Sequence, residues 1–305
     1  MRRTFTLKEL LAATAGICLL LAILAPLILG SREAARRMSC SNNMRQLGLA
    51  VHNHHDQFKQ LPHAGVSWNY PPRYIHEVAQ VKEQQFAGWG FQLLPFIGQS
   101  TQYLGPQHFS NEEHVIAAVS ETQQDFYCPG RRTAKAKKTV QAWYGPEGDY
   151  SHGATDYAVA NMDGDNGAFM RLTLNNKKEP ITVVGGLEII TDGTSNVLLF
   201  GEKRLALREL MGYPFDDNEG HTAGWDCDTV RGTGDIMAKP ITLRRPLPDF
   251  WGFGDGDCRF GSSHPKGFNI TLADASVRFI SYDIDGELFA RLGCRDDGAR
   301  IQVPD

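Results

Sequence analysis

The sequence predicts an α+β protein in which a long N-terminal helix, transmembrane first and amphipathic after, packs on an antiparallel β-sheet domain with long loop insertions. Three observations carry that prediction. No charged side chain occurs from Leu10 to Gly30; an apolar stripe at helical spacing follows directly; and beyond Pro62 the chain turns to short apolar runs broken by Gly, Asp, Asn and Pro. The expected divisions are residues 1–30 (leader and transmembrane helix), 31–61 (amphipathic continuation) and 62–305 (globular α+β domain).

The first element follows from length. At about 1.5 Å of rise per residue, the stretch from Leu10 to Gly30 covers roughly 31 Å, the thickness of a bilayer's hydrocarbon. Glu9 sits at its mouth, within reach of the headgroups. A cleaved secretory signal fits poorly, since the apolar run is too long and "LILGSREAARR" enters charge without a small-x-small site. The same features argue against a twin-arginine signal, despite "RRTFTLK". Arg2, Arg3 and Lys8 before the span balance Arg32, Arg36 and Arg37 after it, so charge alone does not orient it.

The second element follows from periodicity. Cys40, Met44, Leu47, Val51, His54 and Phe58 alternate spacings of three and four and define one helical stripe, which Pro62 must end by Leu61. A helix continuous from Phe5 to Phe58 is roughly 80 Å long, with Pro26 as an internal kink site. In the domain, "GLEIITDGTSNVLLFGEK" reads as strand, turn and strand, and "FNITLADASVRFIS" as a hairpin around Asp274-Ala275. Asn111 to Gln124 reads as helix, with short helical pieces near Leu207 and Leu288 and long loops from Val66 to Ala87 and from Met211 to Phe260.

With 42% hydrophobic and 22% charged residues, the chain has enough apolar material for a real core. A net charge of −4 excludes the overall basic footprint of a nucleic-acid binder, and "RRTAKAKK" and "REAARR" read as solvated local patches. The five cysteines outside the apolar run form no C-x-x-C pair, so zinc-ribbon spacing is absent. In an oxidising compartment, Cys227 with Cys258 or Cys40 with Cys128 are candidate disulfides, with one thiol left over.

Three kinds of site chemistry are weighed against plain packing. His52 and His55 share a helical face beside Asp56, an incomplete metal site whose rings more simply bond loop carbonyls. Asp163 and Asp165 start like a calcium loop, yet Gly167 stands where a ligand belongs; "FGDGDC" and "DIDGE" are similarly acidic, and Asp-Gly turns explain all three. Asp192, Ser195, His264 and Asp274 supply the residue types of a hydrolytic triad without a nucleophile elbow, so no catalytic assignment is made. A solute-binding cleft lined by Trp68, Trp89, Trp225 and Trp251 is the alternative function.

The N-terminus "FTLKELLAATAG" resembles a type IV prepilin or type II secretion pseudopilin, through Phe5, Thr6, Leu7, Glu9, Leu10 and Pro26. The resemblance implies a prepilin peptidase that cuts before Phe5, pilin-like partner subunits, and Glu9 paired with a neighbour's N-terminal amine. It also implies an N-terminus in the cytoplasm and a domain beyond the inner membrane. Thr4 stands where that family has glycine, and its side chain crowds the peptidase site, so slow or absent cleavage is expected. Further on, "REAARRMSCSNNMRQLGLAVHNHHD", "FYCPG", "TDYAVAN", "ITDGTSNVLLFGEK" and "FGSSHPKGFNITLADASVRFI" resemble, in order, a large bacterial family of uncharacterised prepilin-like proteins. Its C-terminal His-x9-Asp-Gly signature falls on His264 and Asp274, with Ala275 in place of glycine. Structural roles are expected for both: Asp274 capping its turn, and His264 fixing the loop after Gly261 through its ring. The function implied is that of a non-catalytic, membrane-anchored structural protein without a resident cofactor, calcium being the ion its acidic loops could hold.

Overall fold

One uninterrupted helix organises the molecule. The structure, a computed structural model, describes residues 7–105, 108–210, 212–299 and 301–304; Thr4 and Phe5 lie outside the described residues. Helix α1 (Leu7–Phe58) passes through Pro26 as a single element. Its apolar part has a mean hydropathy of 2.5 and buries nothing against the protein, so it is long and apolar enough to cross a membrane. The later part buries Cys40, Met44, Leu47, Val51 and His54 as the stripe predicts, and adds Gly48 and Ala50. Small residues there let helix and sheet approach: a Cβ on Gly48 would stand 2.9 Å from Thr271 Cγ2 and 3.1 Å from Ala275 Cβ. The helix ends short of the limit set by Pro62, where Lys59 turns to φ 59°.

Short helices α2 (Trp89–Leu93), α3 (Ser100–Leu104) and α4 (Asn111–Ser120) follow. A capping box between Ser110 and Glu113 starts α4, and it stops before the expected Gln124. Two-stranded ribbons interrupt the loops: β1 (Tyr74–Ile75) with β2 (Val78–Ala79), and β3 (Val140–Gln141) with β4 (Asp149–Tyr150). The main sheet comprises β5 (Tyr157–Ala160), β6 (Leu198–Glu202), β7 (Val230–Arg231), β10 (Gly267–Leu272) and β11 (Val277–Ser281), in the order β11-β10-β6-β5-β7. A third ribbon joins β8 (Gly234–Asp235) to β9 (Thr242–Leu243), and α5 (Gly286–Leu292) closes the fold behind its Asp285 cap.

The antiparallel sheet is as expected, with one addition: β7 returns after a long excursion to pair parallel with β5. One expectation is corrected. The strand expected in "GLEII" is a 3-10 turn at Leu187–Ile189, curled where the Glu188 carboxylate accepts the Gly186 N–H at 2.7 Å. The second hairpin holds: Phe268 pairs with Ile280 and Thr271 with Val277. Its turn places Ala275 at φ 64°, so alanine adopts there the left-handed conformation that glycine takes without cost.

Strands β5, β6 and β10 are buried on both faces, which is why they read as near-continuous apolar runs rather than alternating ones. One face packs Phe200 and Val159 against Met44 and Leu47 of α1 with Trp89 and Phe126. The other packs Phe268, Ile270 and Ile280 under Phe260 and Phe289 of α5.

Candidate functional site: the clamp between helix and domain

Glu33 and Cys40 are seven residues apart on α1, two turns along one face. The domain meets that face with Cys128, Glu202 and His264. Cys40 is joined to Cys128 by a disulfide, so the helix is covalently tied to the loop that follows Phe126. His264 lies in the loop before β10, held where its own N–H reaches Ser262 Oγ at 3.0 Å and Ser262 Oγ reaches the Gly267 carbonyl at 2.9 Å. Gly130 leaves room for the ring, since a Cβ there would stand 2.5 Å from His264 Cε1.

The imidazole faces acceptors on both sides. Nδ1 is 2.6 Å from Glu33 Oε1, and Nε2 is 3.3 Å from Glu202 Oε1 and 3.4 Å from Cys128 Sγ. Burial disfavours charge on this ring, but the Glu202 and Glu33 carboxylates outweigh it and raise the His264 pKa above its ordinary value. Its protonated form donates from Nδ1 to Glu33 and sets its positive charge 3.3 Å from Glu202 Oε1 as an ion pair. Glu202 belongs to β6 and is fully buried; its Oε2 accepts from the Asn269 N–H at 2.7 Å and from Asn269 Nδ2 at 3.0 Å. Cys40, Cys128, Glu202 and His264 present their ligand-type atoms within 4.8 Å of one another, but sulfurs joined to each other are not thiolate ligands.

Behind the clamp runs a buried ionic network that overturns the reading of "RRTAKAKK" as a solvated patch. Arg131 Nη1 is 3.1 Å from Asp156 and its Nε 2.8 Å from Asp249; Arg132 lies 2.7 Å from both Asp156 and Asp217. Lys137 and Lys203 reach Asp217 at 2.9 and 3.1 Å. Although burial alone raises a carboxyl's pKa, Arg132, Lys137 and Lys203 together hold Asp217 well below the ordinary carboxylate range. Asp249 also accepts from Ser263 Oγ at 2.6 Å, which links the network to the loop of His264.

The other sequence-derived candidates do not converge. Glu9 is in the first turn of α1 and Pro26 within the apolar part. Asp274 caps its turn as expected, accepting the Ser276 N–H at 2.8 Å and Ser195 Oγ at 2.7 Å. His264 bonds different carboxylates and Asp192 accepts from the Asp297 and Gly298 N–H groups, so the four triad residues are not gathered. His52 Nε2 meets the Ala273 carbonyl at 2.9 Å, the loop-bonded arrangement, whereas His55 approaches only its helix neighbour Asp56, at 4.0 Å. Asp163 is engaged by Arg244 at 2.9 Å and Asp165 by Asn161 at 2.9 Å, so that acidic loop is no calcium cradle.

The tryptophan cleft is corrected as well. Trp89 is buried in the core with Trp225 packed against it, whereas Trp68 and Trp251 are exposed, so among the described residues the four do not share one environment. A surface cleft of about 610 Å³ lies elsewhere, beside His76, Ser100, Leu104 and His114. The sequence reading missed Glu33, Glu202 and the arginine pair. One signal was present: a lone glutamate ending the apolar run "VLLFGE" marks a buried charge in need of a partner.

No curated protein and no solved structure matches the chain. The family described as "Protein of unknown function (DUF1559)", SBP_bac_10, matches residues 31–287, which take in the whole clamp. The chain belongs to that family.

Proposed function

We propose that the chain is a non-catalytic, membrane-anchored, pilin-like structural protein of the cell envelope, assembling through its N-terminal helix. The carrying observation is the division of α1: one unbroken helix, bare and apolar in its first half and locked into the domain by Cys40 and Glu33 in its second. Such a spine transmits position rigidly between the membrane and the domain. Two disulfides, Cys40–Cys128 and Cys227–Cys258, support a domain in an oxidising compartment, with the N-terminus in the cytoplasm and the span in the inner membrane. In this reading the membrane and copies of pilin-like chains are the partners, and Glu9 meets the Phe5 amine of a neighbour only in chains cut before Phe5.

Cys18, exposed on the apolar part of α1, is a native probe of this assembly. Mild oxidation of native membranes is expected to give covalent dimers that Cys18→Ser abolishes, and Glu9→Ala is expected to reduce them only among chains cut before Phe5. A chain that stays monomeric under oxidation refutes assembly through the helix. It favours the alternative, a tethered extracytoplasmic solute-binding protein using the cleft beside His76 and His114.

A further inference from the structure

Asp216 to Asp228 crosses the domain as an acidic loop, "DDNEGHTAGWDCD", far from the clamp in sequence and unused by it. Glu219, Asp226 and Asp228 bring one carboxylate oxygen each to within 4.8 Å of the others. Three like charges so close repel unless something positive lies between them. Asp216 and Asp217 of the same loop are neutralised by Arg231 at 2.7 Å and by Arg132, Lys137 and Lys203. Lys203 also faces this side, but its Nζ goes to the Asp217 carboxylate and to the Asp216 and Asp228 carbonyls. Glu219, Asp226 and Asp228 have no cation of their own among the described ion pairs.

A second observation concerns buried oxygens. Glu219 Oε2, Asp228 Oδ1 and the amide oxygen of Asn218 are all buried without a hydrogen-bond donor among the described residues. Asn218 is 7% exposed, and its amide lies against the cluster, with Nδ2 2.5 Å from Glu219 Oε1. Unmatched buried oxygens of this kind are costly and rare unless an ion or a proton completes them. The loop is also held in place: Asp228 Oδ2 accepts the Gly220 N–H at 2.6 Å, and Cys227, between two of the acids, is tied to Cys258.

We propose that Glu219, Asp226 and Asp228 form a calcium site that staples this loop, with the Asn218 amide N–H donating to Glu219 beside it. All-oxygen donors of mixed burial suit a hard cation that tolerates irregular geometry, and half-buried Asp226 is the side open to solvent. Burial, then the Asp228 and Asp226 charges, push Glu219 up to about 9, and burial, against the opposing pull of Lys203, pushes Asp228 up to about 7.

The test uses the full chain in detergent after treatment with a chelator. Calcium at about 5 mM is expected to raise the melting temperature by roughly 5 °C, with an affinity near those of extracellular modules. Titration calorimetry should show saturable binding of one calcium per chain. Asp228→Asn and Glu219→Gln should remain folded without calcium and lose both responses. Absence of any response in the unsubstituted chain overturns the proposal. An undiminished response in both variants places calcium elsewhere, and an equal response to magnesium overturns the choice of ion.

Discussion

Replacing His264 by alanine removes one ring from between two carboxylates, and the cost can be worked from their burial. Glu33 is about one-third exposed in its side chain, so its 2.6 Å contact is partly replaced by water and contributes at most about 1 kcal/mol. Glu202 is different. Its side chain is fully buried, and without His264 its Oε1 faces no cation, while Oε2 keeps the two Asn269 bonds. Orphaning one member of a buried pair typically costs 3–5 kcal/mol; the surviving bonds place this case at the lower end, about 3 kcal/mol. Denaturant unfolding of the full chain, followed by the fluorescence of buried Trp89, measures it. Glu202→Gln in the same chain should recover much of the loss, because an amide needs no counter-charge.

The pH dependence has a definite sign. Because the His264 pKa is raised on folding, its contribution is fully present below its unfolded value near 6.5 and is lost as the pH rises through the higher folded value. The gap between the unsubstituted chain and His264→Ala should therefore narrow from acidic to alkaline pH. A loss below about 1 kcal/mol, a gap that widens with pH, or no recovery by Glu202→Gln would refute the clamp as an imidazolium bridging two carboxylates.

Two further predictions address the ends of the spine. Cys40→Ala with Cys128→Ala opens a loop of sequence separation 88 and should cost roughly 4.5 kcal/mol by the chain-entropy relation, read as a lowered denaturation midpoint; an unchanged midpoint removes the disulfide from the clamp. Thr4 should leave most of the chain uncut, and mass spectrometry of the N-terminal peptide from native membranes decides it, a methylated Phe5 at full yield being the contrary result.

The long helix and the C-terminal hairpin were legible in the sequence because each rests on local physics. An uncharged apolar run, a stripe at helical spacing and an Asp-Ala turn between β-branched runs state their conformation within one segment. The two disulfide pairs were named as candidates, and the Asp274 cap followed from neighbouring residues. The strand expected in "GLEII" failed because Glu188 bonds the backbone two residues back, a local competitor that propensity does not register. What only the tertiary structure decided are the partnerships of charge. Glu33 and His264 are 231 residues apart, and Arg131 meets Asp249 across 118. A side chain's charge is visible in the sequence, but whether it is solvated or buried depends on which distant groups the fold delivers to it. That is why "RRTAKAKK" reads as surface and Arg131, Arg132 and Lys137 are interior.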